Sequence, residues 1–232
     1  MPYFYFIQDN YYIVFVVIPL IASLIIQAKM KMTYRKYERV ASSRGMTGYM
    51  AAEMVLRQHR ITNVAIEGVQ GRLTDHFDPR TNIIRLSPQV YGGTSIAAIS
   101  IACHEAGHAV QHSENYNPIK LRNAILPITN IGTSLSFPLI LLGIFFSMDP
   151  LLFLGIIFFS FVVIFHLVTL PVEFNASSRA LEAIDAYEML SPDESKAAKK
   201  VLSAAALTYL AAFAVSLAQL LRLMLLFRGR RK

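Results

Sequence analysis

The chain has 232 residues, 54% of them hydrophobic and 16% charged, with a formal net charge of +7 and one cysteine. Soluble domains average roughly 45–50% apolar and about 25% charged residues, so this composition excludes an ordinary soluble domain, and its block-like apolar pattern excludes a disordered chain. Cys103 alone allows neither an internal disulfide nor a C-x-x-C motif, and the basic balance suits a membrane protein meeting anionic headgroups better than a nucleic-acid binder.

The first apolar block, Tyr11 to Ala28, contains no charge. At about 1.5 Å per residue it reaches roughly 27 Å, close to the hydrocarbon thickness of a bilayer. A cleaved signal peptide needs basic residues before its apolar run; here residues 1–10 contain none and KMKMTYRKYER follows. Residues 1–28 therefore read as an uncleaved transmembrane anchor. Aromatic residues between positions 3 and 15, Tyr11 and Tyr12 among them, sit at its interface.

Residues 29–123 hold most of the charge and read as a small α+β unit. Thr47 caps a helix over TGYMAAEMVLRQHR, with Met50, Met54 and Val55 on its packed side. NVAIEGV and GRLTDHF are β-prone, and DPRTN turns the chain into IIRL, giving a hairpin with its bend at Asp78–Asn82. Ile83–Leu86 is expected to be an edge strand, available to pair with an extended substrate. After the breaker-rich SPQVYGGTS comes SIAAISIACHEAGHAVQH, a helix of about five turns.

Residues 124–172 read as a transmembrane hairpin, with spans at 124–146 and 151–172 joined through Ser147, Met148, Asp149 and Pro150. Pro127 and Pro138 break the first span's ladder, so a kink satisfied by neighbouring helices is expected. His166, within the second, reads as hydrogen-bonded to a neighbouring helix or as functional. Residues 173–200 form a polar helix. Residues 201–232 form a last transmembrane helix, or an in-plane amphipathic one, with Arg222 snorkelling toward the basic tail. Lys29, Lys31, Arg35, Lys36 and Arg39 follow the anchor and no basic residue precedes it. That pattern puts residues 29–123 and 173–200 in the cytoplasm; Arg228, Arg230, Arg231 and Lys232 run against it if the fourth block spans.

One motif carries chemistry. His104-Glu105-Ala106-Gly107-His108 matches H-E-x-x-H inside a predicted helix. Histidines at i and i+4 project from one face, so both imidazoles reach one Zn²⁺ at about 2.0–2.1 Å. Glu105 borders that face and can take a proton from a zinc-activated water, then pass it to a leaving amine. The bland alternative, a solvated helix face, does not explain two histidines and a carboxylate in so apolar a stretch.

A catalytic zinc needs a third protein ligand and an open position. His112 lies one turn too far along, which leaves a carboxylate from another helix. Glu173 stands out, because a charge next to hydrocarbon is costly unless paired or metal-bound. Glu182, Asp185 and Glu188 fall in an amphipathic polar stretch and should face water.

HEAGHAVQ followed by LPVEFNASSRA, together with LTDHFDP and the N-terminal anchor, resembles the YugP-like membrane zinc metallopeptidases of the gluzincin kind. It is more distantly similar to HtpX and the CAAX-prenyl endopeptidases. The resemblance implies zinc bound by His104, His108 and Glu173, with Glu105 as catalytic base. Ser177 stands where many gluzincins carry an Asp that orients a zinc histidine, and Asn175 where the YugP-like pattern leads one to expect Asp.

Asp78 reads as a turn residue, whereas Asp75 and His76 fit either a structural role or contact with substrate or metal. Arg179, Tyr187 and Tyr209 are all eligible as oxyanion donors. Cys103 reads as a small buried residue. The sequence thus describes a mainly α membrane protein with about four transmembrane helices and a small α+β zincin-like unit. It reads as a membrane-embedded zinc metalloendopeptidase, with one catalytic ion near the membrane surface. Its partners are the lipid bilayer and a peptide or membrane-protein substrate, not nucleic acid; the oligomeric state stays open. Two other classes compete: a non-proteolytic adaptor with a structural zinc, and a transporter with His166 and Arg222 lining a path.

Overall fold

The computed structural model describes residues 11–230. The aromatic residues Tyr3, Phe4, Tyr5 and Phe6, and Arg231 and Lys232 of the tail, lie outside the described residues. A π-helical turn, Ile13–Val17, opens into α1 (Ile18–Glu38); α2 (Gly48–Gln58), β1 (Ala65–Gly68), β2 (His76–Asp78), β3 (Ile83–Leu86), the single turn α3 (Pro88–Tyr91) and α4 (Ile96–Ser113) follow. Three long helices complete the chain: α5 (Asn117–Phe145), α6 (Asp149–Ala186) and α7 (Pro192–Arg230). Four helical stretches, Ile13–Glu38 and those of α5, α6 and α7, are long and apolar enough to cross a membrane. The protein is a mainly α membrane protein with a small α+β unit.

The chain divides into two compact units. One comprises Ala28–Ile119 and Pro171–Leu207. Thr47 caps its helix as expected, accepting from the Met50 N–H, and Ser95 accepts likewise from the Ala98 N–H, each replacing a bond the first turn lacks. The packed side of α2 is Ala51, Ala52, Val55 and Leu56; Met54 is half-buried and Met50 is exposed, so the small residues make the contact expected of Met50. These side chains join Ile84, Leu86, Val90, Ile99, Cys103 and Ala106, together with Ile184 and Leu202 of the later helices and Met189 between them, in one core.

The hairpin forms as read, with β2 antiparallel to β3 and Asp78 opposite Ile83. The Asp78 carboxylate accepts from the Arg80 N–H, the Thr81 hydroxyl and Arg85, which closes the bend. β3 is not an edge strand, however. β1 returns parallel to its other side, giving the order β1-β3-β2. Ile83–Leu86 therefore has both ladder faces occupied, and the expectation that it pairs with substrate is withdrawn. Hydrophobic alternation marks a strand but not its neighbours.

Residues 173–200 are not one polar helix. α6 runs without a break from the apolar span to Ala186, the chain turns at 187–191, and α7 starts at Pro192 and continues into the fourth apolar block. Glu188 takes a left-handed conformation (φ 50°) in that turn.

The second unit comprises the described part of Met1–Gln27, Lys120–Leu170 and the chain from Thr208 onward. Its α5–α6 hairpin closes through glycine: a Cβ on Gly132 would lie 2.6 Å from the Phe158 carbonyl, and one on Gly155 2.7 Å from Ile140. His166 has the hydrogen-bonded role, its Nδ1 3.0 Å from the Ser216 hydroxyl of α7. Arg222 does not snorkel. It is 2% exposed, with its guanidinium over the Tyr12 ring at 5.1 Å. The helix continues past it to Arg230, and the inward face on which Arg222 falls decides its fate.

Candidate metal centre

All residues of the site belong to the first unit. α4 supplies His104, Glu105 and His108; α6 supplies Glu173, Ser177 and Asn175. The two helices approach closely at Gly107, where a Cβ would meet the Ala176 carbonyl at 2.8 Å. Only glycine lets α4 bring its histidines to the level of Glu173.

The histidine rings stand edge to face, with centroids 4.7 Å apart. Glu173 is 3% exposed, and its Oε2 has no hydrogen-bond partner. That oxygen lies 3.4 Å from His104 Nε2 and 3.6 Å from His108 Nε2. These separations are long for hydrogen bonds. They match a shared cation: ligands at about 2.0–2.1 Å around a tetrahedral ion lie about 3.4 Å from one another. A buried carboxylate oxygen without a donor is otherwise costly. Among the described residues, His104, His108 and Glu173 form the one group of three or more such side chains able to hold a metal.

The outer nitrogens of both rings are tied down. The Gln111 amide nitrogen donates to the Val172 carbonyl at 2.8 Å and to Asn175 Oδ1 at 2.9 Å. Its carbonyl oxygen is thereby turned to His108 Nδ1, 3.0 Å away. An acceptor at that position places the ring hydrogen on Nδ1 and leaves the Nε2 lone pair toward Glu173. Ser177 Oγ lies 3.2 Å from His104 Nδ1 and can do the same for the other ring. Ser177 thus takes up the orienting position, while Asn175 supports Gln111 and accepts from Arg179 Nε at 2.8 Å. Burial pushes the His108 imidazole down, but the Glu173 carboxylate, Glu105 and Gln111 outweigh it and raise it above the ordinary histidine range.

Glu105 is buried beside the histidines, and the Phe77 N–H of edge strand β2 donates to its Oε2 at 3.0 Å. Neither Gln111 nor Phe77 stands out in the sequence. Gln111 falls at i+3 from His108, a spacing that puts it on the same face; a backbone N–H leaves no signal at all.

The remaining candidates have other roles. His112 packs against the Phe77 ring. Asp75 accepts from the Ser87 N–H and hydroxyl, which assigns it to joining β2 and β3, and burial raises its carboxyl above the usual range. His76 is exposed, with Nδ1 at the Thr74 carbonyl. Glu182, Asp185 and Glu188 are exposed, as expected. Arg179 is engaged by Glu114 at 2.7 Å and by Asn175, and Tyr187 packs against the core. Cys103 points away from the imidazoles toward Met189 Sδ at 3.5 Å, and burial pushes its thiol up to about 12.

A family model described as "Putative neutral zinc metallopeptidase" matches residues 12–228. The chain belongs to this family. It is also 46% identical over 205 residues to the "Putative membrane protease YugP" of Bacillus subtilis (strain 168), an overlap of 88% of this chain and 91% of that protein. No solved structure matches the chain. Membership of the zinc metallopeptidase family implies zinc, and the donor set of two imidazoles and one carboxylate is of the kind that zinc takes.

Proposed function

We propose that the protein is a membrane-embedded zinc metalloendopeptidase whose ion is held by His104, His108 and Glu173. The observation that carries this reading is the orphaned Glu173 Oε2, buried and equidistant within a few tenths of an ångström from two ring nitrogens. A zinc ion in such a site polarises a peptide carbonyl and acidifies water. The chain's own residues do the rest. Gln111 and Ser177 hold each imidazole in the tautomer that directs Nε2 at the ion. Glu105, fixed through Oε2 by the Phe77 N–H, keeps its other oxygen for the proton of the attacking water and delivers that proton to the departing amine.

Glu173 follows directly on the apolar run 151–172, which favours a site near the membrane surface. Substrates are then peptides or membrane-protein segments presented there. The basic residues after the anchor favour the cytoplasmic side. Glu105→Gln is expected to retain zinc and lose about 10²–10⁴-fold in peptide cleavage. Metal analysis and cleavage of a labelled peptide check it; undiminished hydrolysis by that variant refutes the mechanism.

A further inference from the structure

Inside a bilayer a helix turns polar groups toward protein and apolar groups toward lipid, because hydrocarbon offers no hydrogen bonds. The middle of α5 keeps to this order at Thr129 and Ser136, which are buried, and at Ile128, Ile131, Leu135 and Phe137, which are exposed, but departs from it along one exposed stripe. Its packed face consists of Thr129, Gly132, Ser136 and Ile140, all buried. Asn123, Pro127, Asn130, Ser134 and Pro138, spaced by four, three, four and four residues, are all exposed. At about 100° per residue, the centres of the two sets lie about 160° apart. The side-chain amides of Asn123 and Asn130 have no hydrogen-bond partner among the described residues.

The prolines add to the imbalance. Lacking an N–H, Pro127 leaves the Asn123 carbonyl without its usual donor, and Pro138 does so for Ser134. Both prolines are exposed, so the neighbouring helices expected to satisfy these breaks do not cover them. The Ser134 hydroxyl is committed to the Asn130 carbonyl at 3.0 Å. Counted from Ala124, where the apolar block begins, Asn130 lies about 9 Å deep and Ser134 about 15 Å deep, well inside the hydrocarbon.

We propose that this face of α5 is the contact surface between two copies of the chain, paired about a two-fold axis along the membrane normal. The chemistry selects a second copy. An asparagine amide carries both donors and an acceptor, so it complements itself. Two copies inserted in the same sense bring each Asn130 to its own counterpart at the same depth. Lipid tails do not satisfy the Asn130 amide, and a membrane segment of arbitrary sequence brings no amide to that depth. The surface is independent of the metal-site reading.

The test uses the full chain in lipid vesicles. Because Cys103 is fully buried, an introduced cysteine is the one that reacts. Asn130→Cys is expected to form an oxidised dimer, whereas Ile128→Cys and Leu135→Cys, exposed but about 100–120° round the helix from the centre of the stripe, are not. Energy transfer between labelled copies on dilution with lipid should show Asn130→Leu associating about three- to thirty-fold more weakly than the parent. Equal cross-linking at all three positions, or a parent chain monomeric at every dilution, overturns the proposal; the second result would assign the face to a different membrane protein.

Discussion

Gln111→Met isolates the support of one histidine of the proposed zinc site. The substitution keeps an unbranched side chain of similar length but removes three contacts: the acceptor for His108 Nδ1 at 3.0 Å, and the donors to the Val172 carbonyl and to Asn175. Losing the outer partner of a metal-bound histidine costs about 10–100-fold in metal affinity, equivalent to about 1.4–2.8 kcal/mol. That range agrees with the cost of leaving one buried N–H unsatisfied, about 1–3 kcal/mol. Gln111 is fully buried, so water cannot replace the acceptor. Fold stability should suffer less, because Asn175 Oδ1 keeps its bond from Arg179. The assay is zinc affinity by competition with a chelator, alongside melting of the metal-stripped protein. A variant within threefold of the parent in zinc affinity, yet less stable, would refute the reasoning and leave Gln111 as a packing residue.

Two further outcomes are expected. In an ordinary helix Gly→Ala gains up to about 1 kcal/mol, but Gly107→Ala should cost about 1–3 kcal/mol and weaken zinc binding, because its Cβ would press on the Ala176 carbonyl between Glu173 and Ser177; an elevated Tm sinks this account. His108 is raised in the folded metal-stripped protein, so its contribution to stability is complete below the unfolded value of about pH 6.5 and is lost as pH rises through the folded value. Protons compete with zinc for the same nitrogen, so affinity should begin to fall on acidification at a higher pH than for an unperturbed imidazole, as chelator competition from pH 8 to 5.5 would measure.

What was readable in the sequence was what local rules govern. Thr47 announces its helix, Asp78 and the residues after it announce the bend, and i, i+4 spacing puts two histidines on one face. Glu173 was readable because a carboxylate next to hydrocarbon demands an explanation. Missed features depend on which elements meet. β3 is central because β1 returns parallel beside it, Gln111 acts only where α6 presents the Val172 carbonyl, and Arg222 is buried because its helix turns it inward. Hydropathy assigns a residue to a span but not to one side of it. The α6 and α7 boundaries were obscured for a related reason: polar ends prolong apolar helices without any stop signal until the turn at 187–191.

The outer nitrogens of both histidines lean on uncharged groups, an amide and a hydroxyl. A carboxylate in either place would push electron density through the ring and tighten its grip on a cation. Neutral props leave the ion more electrophilic and more readily exchanged. On the proposed function, a chelator should therefore strip this centre more readily than one whose histidines lean on carboxylates.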